Sequence, residues 1–171
     1  MGGDAADAGW ASSGLARRVI EVWALLGGLL LLGIAVMSTW SAASGFIFHK
    51  PLQGDFELVE MLVAVAVFMF LPYCQLTDAN VTADIFTARA STRTVKRLRL
   101  LSAFIALGFG ALLLWRMYGG LLDYRQYVET TTILRIPIWY AYVPVLMSLV
   151  LLLLACLISI RDLQRESPPA P

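Results

Sequence analysis

Four long stretches without a charged residue divide this chain: Val22 to Phe48, Met61 to Thr77, Leu100 to Trp115 and Ile136 to Ile160. A helix needs about 20 predominantly apolar residues to cross a bilayer. The first and fourth stretches exceed that length, and the second and third reach it by borrowing their flanks. Span two then starts near Phe56 and takes in Glu60, and span three runs past Arg116 to about Tyr118. The pattern predicts an all-α integral membrane protein with transmembrane helices at roughly 20–42, 57–76, 98–119 and 137–160.

Those spans leave no room for a second folded unit. Residues 16–165 read as a single four-helix transmembrane domain between disordered tails at 1–15 and 166–171. The first tail is small and polar apart from Trp10. The second, Ser167-Pro168-Pro169-Ala170-Pro171, cannot be helical. The chain is 59% hydrophobic, against about 45–50% for soluble domains.

The basic residues set the orientation, because cytoplasmic loops gather Lys and Arg. Arg17, Arg18, Arg89, Arg93, Lys96, Arg97, Arg99, Arg161 and Arg165 fall on one side. Lys50, Arg116, Arg125 and Arg135 fall on the other. Both termini are therefore expected in the cytoplasm. Trp40, Trp115, Tyr118, Trp139, Tyr140 and Tyr142 would form an aromatic belt at the outer interface. Arg17-Arg18 followed by an apolar run and Ser41-Ala42-Ala43 imitates a signal peptide. That run is too long for the usual apolar region of about 7–15 residues, so it reads as an anchored helix.

Two connections carry apolar residues. In Asn80 to Ala90, Val81, Ile85, Phe86 and Ala88 form an apolar strip with Asp84 and Arg89 opposite. This suits a helix lying in the cytoplasmic interface, or an ordinary basic loop. Ser91 or Thr92 would cap the next helix. The outer connection, Gly119 to Arg135, mixes Leu121, Leu122, Tyr124, Tyr127 and Val128 with charges and is expected to lie along the membrane or a partner.

Little in the chain points to catalysis. His49 is the one histidine, which excludes a haem held by two histidines of this chain. There is no Cys/His metal pattern, no nucleophile–base set and no phosphate loop, and the protein is expected not to be an enzyme. Net charge is +1, which offers no basis for a nucleic-acid partner. Cys74 and Cys156 read as small buried apolar residues, unpaired in a reducing compartment. Gly27-Gly28 and the pairs Ala24/Gly28 and Ala106/Gly110 suit close helix packing. Pro72 and Pro144 fall inside spans, where neighbouring helices tolerate them.

Acids at the membrane carry more weight. Glu21 starts span one beside Arg17 and Arg18 and is expected to pair with them at the interface. Glu57 and Glu60, three apart at the start of span two, admit three readings: a cation or proton site, acids stabilising a helix N-terminus, or a contact with a partner. No acid or base lies at the middle of any span, where a self-contained coupled transporter would be expected to keep one.

Gly54-Asp55-Phe56-Glu57-Leu58-Val59-Glu60 leads into a span ending Leu71-Pro72-Tyr73-Cys74-Gln75-Leu76. Glu129-Thr130-Thr131-Thr132 precedes Leu134-Arg135-Ile136-Pro137-Ile138-Trp139-Tyr140. With the polar run Asn80 to Phe86, this combination resembles the small membrane subunit of tripartite ATP-independent periplasmic (TRAP) transporters, the DctQ-like family, over about residues 15–165. One departure is Thr77-Asp78-Ala79-Asn80, where many members carry basic residues and a histidine. The resemblance implies a bacterial inner-membrane scaffold subunit with no cofactor of its own. Its expected partners are the lipid bilayer, a large membrane subunit that carries substrate and sodium, and a periplasmic substrate-binding protein. Glu57, Glu60, Pro137 and Trp139 are the candidate assembly positions. Two rivals stand beside it: a small homodimeric transporter or channel relying on Glu60, and a cofactor-free membrane anchor of a redox complex.

Overall fold

The computed structural model describes residues 4–77 and 92–165, with side chains from 14–77 and 98–164. Among the described residues there are four helices: α1 Asp4–Phe48, α2 Asp55–Leu76, α3 Thr92–Tyr127 and α4 Trp139–Arg165. Each contains a stretch long and apolar enough to cross a membrane. The expected interfacial helix at Asn80–Ala90 and the tail at 166–171 lie outside the described residues, as does Ser91.

Two helices outrun the spans expected of them. With 45 residues at 1.5 Å rise, α1 is about 67 Å long, against a hydrocarbon core of about 30 Å. It begins at Asp4, inside the stretch expected as a disordered tail. At the other end of the protein, α3 continues through Gly119-Gly120 to Tyr127, so the outer connection is not a loop from Gly119. Packing explains the continuation: a Cβ on Gly120 would lie 3.1 Å from Tyr142 Cε1, so the bare backbone is pressed against α4. The connection proper is Val128 to Ile138.

The helices form an open row rather than a closed bundle. In space the order is α1, α2, α4, α3: α1 packs on α2, α2 on α4, and α4 on α3, with a lighter contact between α1 and α4. The core lies along the middle of the row, where Val65 and Met69 of α2 meet Val145, Leu149, Leu152 and Cys156 of α4. The α4 residues recur at spacings of four and three, the seam of closely aligned helices, and α2 and α4 run parallel, each from the hairpin end to the end that carries the termini. On α1, Ile20, Ala24, Gly27, Ile34 and Ser41 are buried at the same spacing.

Close backbone approach holds this seam, because lipid is as apolar as leucine and supplies no hydrophobic drive between helices. A Cβ on Gly27 would sit 3.0 Å from Met69 Cβ, and one on Gly110 would sit 3.2 Å from Leu153 Cδ2. The α1 contact therefore uses Ala24 with Gly27. Gly28, the expected partner of Ala24, falls one position off the seam and would meet only the Phe70 ring at 3.9 Å.

Polar ties reinforce the row. Trp23 Nε1 donates to Ser148 Oγ at 2.9 Å, which itself donates to the Pro144 carbonyl at 2.8 Å. Arg17 pairs with Asp162 at 2.5 Å, joining α1 to α4 at the end that carries the termini. Near that end Ser159 Oγ lies 3.4 Å from the Gln75 carbonyl. Cys156 is in the core, whereas Cys74 is only half-buried, and both are free thiols.

Gly27→Leu is expected to wedge α1 from α2 and to cost about 1–3 kcal/mol. Gly108→Leu, whose Cβ meets nothing within 4 Å, is expected to leave stability unchanged. Thermal unfolding of the detergent-solubilised protein, followed by circular dichroism, separates the two.

Candidate functional site: a clasped cleft at the hairpin end

Both short connections, 49–54 and 128–138, meet at the end of the row away from the termini. Ser41 Oγ donates to Asp55 Oδ2 at 2.5 Å and accepts the Leu52 amide at 3.2 Å, fixing the turn between α1 and α2. Gly54 closes that turn in the left-handed region at φ 79°, where glycine alone is unstrained. Its missing side chain also makes room for Leu134: a Cβ there would lie 2.5 Å from Leu134 Cγ.

Glu57 holds the second connection. Its Oε1 accepts the Ile133 amide at 2.7 Å and its Oε2 accepts the Leu134 amide at 3.0 Å. One carboxylate on the first turn of α2 thus grips the backbone of the segment linking α3 to α4.

That segment is a small hairpin. The Thr131 amide donates to the Ile136 carbonyl at 2.9 Å, and the Ile138 amide donates to the Glu129 carbonyl at 3.1 Å. Thr130 and Pro137 face each other between these bonds. Proline suits this position, because in an antiparallel pair the ladder bonds flank it and its missing N–H would have pointed away. The Ile136 amide also donates to Thr131 Oγ1 at 3.0 Å. Val128 (φ 49°) and Arg135 (φ 52°) take left-handed backbone at the start and turn of the hairpin, as His49 (φ 52°) does after α1.

Beneath the hairpin lies a cleft of about 450 Å³ between α2, α3 and α4. Glu57, Glu60 and the threonines 130–132 line its mouth, and Met61, Ala64, Phe68, Met117 and Val145 line its interior. Glu60 is exposed at the mouth, and none of the described residues donates to its carboxylate.

The four residues singled out from sequence separate into distinct surroundings. Glu57 and Pro137 both belong to the clasp, one gripping the hairpin and one built into it. Glu60 faces the cleft. Trp139 starts α4 away from the cleft lining, with the Arg125 guanidinium carbon 5.6 Å from its ring centroid and the Tyr140 ring tilted against it at 4.2 Å. That contact ties the last turn of α3 to the first of α4. Sequence reasoning missed Gly54 with Leu134, and Tyr142 packed on Gly120 and on Tyr124 at 5.2 Å. The glycine before an acidic helix start was a usable signal; the partners on the distant segments were not.

The comparison with known families places the chain. Residues 34–166 match the family described as tripartite ATP-independent periplasmic transporters, DctQ component. The match covers more than three-quarters of the sequence, and the chain belongs to that family. It is a small subunit of a TRAP transporter, a multi-pass inner-membrane protein from a family of transport components rather than enzymes. No individual curated protein matches it significantly.

Glu57→Gln is expected to weaken the grip on the hairpin, because the amide group sets an N–H donor against one of the two backbone donors. Hydrogen exchange should quicken at the Ile133 and Leu134 amides while the core amides of α4 keep their rates. Gly54→Ala should cost at least the roughly 1–2 kcal/mol of a left-handed non-glycine residue, since its methyl also meets Leu134. A fall in melting temperature is the readout.

Proposed function

We propose that this chain is the scaffold of its transporter. It steadies a large membrane subunit during sodium-driven uptake of an organic acid or related solute delivered by a periplasmic binding protein. Substrate and sodium are bound by the partner subunit, and this chain carries no cofactor. Both termini face the cytoplasm, so the clasped cleft faces the periplasm.

The observation that carries this reading is the open row. A transport path needs helices around it, and here the outer helices α1 and α3 each leave a whole face without an intramolecular partner. Leu25, Leu29, Leu32 and Val36 are exposed along α1, and Phe104, Ile105, Phe109, Leu112 and Trp115 along α3. Such faces suit contact with lipid and with a second membrane subunit. Electrostatics points the same way: the two carboxylates at the mouth of the cleft would repel an anionic solute rather than gather it. Glu57, Glu60, Pro137 and Trp139 shape the periplasmic end that meets the partners.

Uptake into proteoliposomes tests the reading. Under a sodium gradient, solute is expected to accumulate only when this chain, the large subunit and the binding protein are all present. Uptake by this chain alone, abolished by Glu60→Gln, would replace the scaffold with an autonomous carrier. For the orientation, a C-terminal green fluorescent protein fusion is expected to fluoresce and the matching alkaline phosphatase fusion to be inactive; the reverse pattern would invert the topology.

A further inference from the structure

We infer that the cleft under the hairpin is a phospholipid site, selective for a primary-ammonium headgroup. Its polarity changes along its length. At the top stand Glu60 and the threonines 130–132; below lie Met61, Ala64, Phe68, Met117 and Val145. From Glu60 to Phe68 the slot runs eight residues down α2, about 12 Å along the helix axis. α2 is a membrane-spanning helix, so that axis runs into the bilayer and the acidic end lies at its start. A phospholipid of the surrounding leaflet has the same profile: a charged head at the interface and an acyl chain directed inward. A side chain from a neighbouring helix would instead enter across the slot and leave its depth empty.

The headgroup follows from the groups at the mouth. The Glu57 carboxylate is already engaged by the Ile133 and Leu134 amides, whereas the Glu60 carboxylate has no donor among the described residues. A carboxylate at the membrane boundary calls for a cationic partner. The ammonium of an ethanolamine head supplies one with three N–H donors, which Glu60 and the threonine hydroxyls can accept. A choline head has no N–H to give Glu60 or the threonine hydroxyls and is held by aromatic faces instead; Tyr142 also lines the cleft, but its ring is packed against Gly120 and Tyr124. A glycerol head leaves the lipid with a net negative charge that Glu60 would repel.

Native mass spectrometry of the detergent-solubilised full chain tests this, with dioleoyl phosphatidylethanolamine, phosphatidylcholine and phosphatidylglycerol added singly. The ethanolamine lipid is expected to be retained about tenfold better than the other two, the order of a charge-assisted hydrogen bond. Glu60→Gln should erase that preference. Ala64→Phe, which fills the slot, should reduce retention of all three lipids. Unchanged circular dichroism melting establishes that each variant is folded; if Ala64→Phe unfolds the chain, Ala141→Phe fills the slot from α4 instead. Equal retention of the three lipids overturns the inference, as does a preference that survives Glu60→Gln. Lipid retention unaffected by Glu60→Gln, together with weakened capture of the large membrane subunit, would instead assign Glu60 to a cation of that protein. The isolated chain is measured, so a negative result leaves the scaffold reading untouched.

Discussion

The placement of α4 between α2 and α3 is the constraint on which the architecture depends. The helices adjacent in sequence, α2 and α3, are kept apart, and the last helix to be made fills the gap between them. Until it does, Val65 lacks the α4 surface it buries against, Met69 has its contact with Gly27 alone, and Gly110 and Gly120 have nothing to admit. In a bilayer this insertion gains nothing from expelling water, so its stability rests on packing density and a few hydrogen bonds. Trp23 to Ser148 is one such bond, worth about 0.6 kcal/mol by the average for membrane helices. It also reaches across from α1, which otherwise rests mainly on α2, and so ties the first helix to the last.

The hairpin end shows how a short connection is made to hold a shape. Among the described residues, those in left-handed backbone without being glycine, His49, Val128 and Arg135, all lie in its connections. Such residues persist where the surroundings fix them. For Val128 and Arg135 the surroundings are the Glu57 carboxylate, the paired backbone of Glu129 to Ile138 and the packing of Leu134 against Gly54. The result is a roof of fixed shape over a cleft whose walls come from three helices.

Much of the fold was legible because membrane spans announce themselves by length and lack of charge. The four helices, and the value of Gly27 and Gly110 for close packing, could be read one segment at a time. The extent of α3 could not, because Gly119-Gly120 looks like a break until Tyr142, on another helix, is seen packed against it. The same holds for the cleft. Glu57 and Glu60 were visible as acids at a helix start, but their different situations depend on residues more than 70 positions away: Ile133 and Leu134 occupy the first, and nothing described occupies the second. The row order was likewise illegible, since four apolar helices pack equally well on paper in several sequences of neighbours.

The grip of Glu57 falls on amide hydrogens, and an amide hydrogen is common to every residue except proline. The clasp is therefore indifferent to what residue 133 displays outward. Ile133 points a large apolar side chain to the exterior, and a different residue there would be held in the same place by the same two bonds. Anchorage and display are thereby written in separate letters of the sequence: the first in Glu57, the second in the exposed side chains of the hairpin. A subunit built this way can be refitted to a new neighbour by changing its outward-facing residues, without giving up the position from which they are presented.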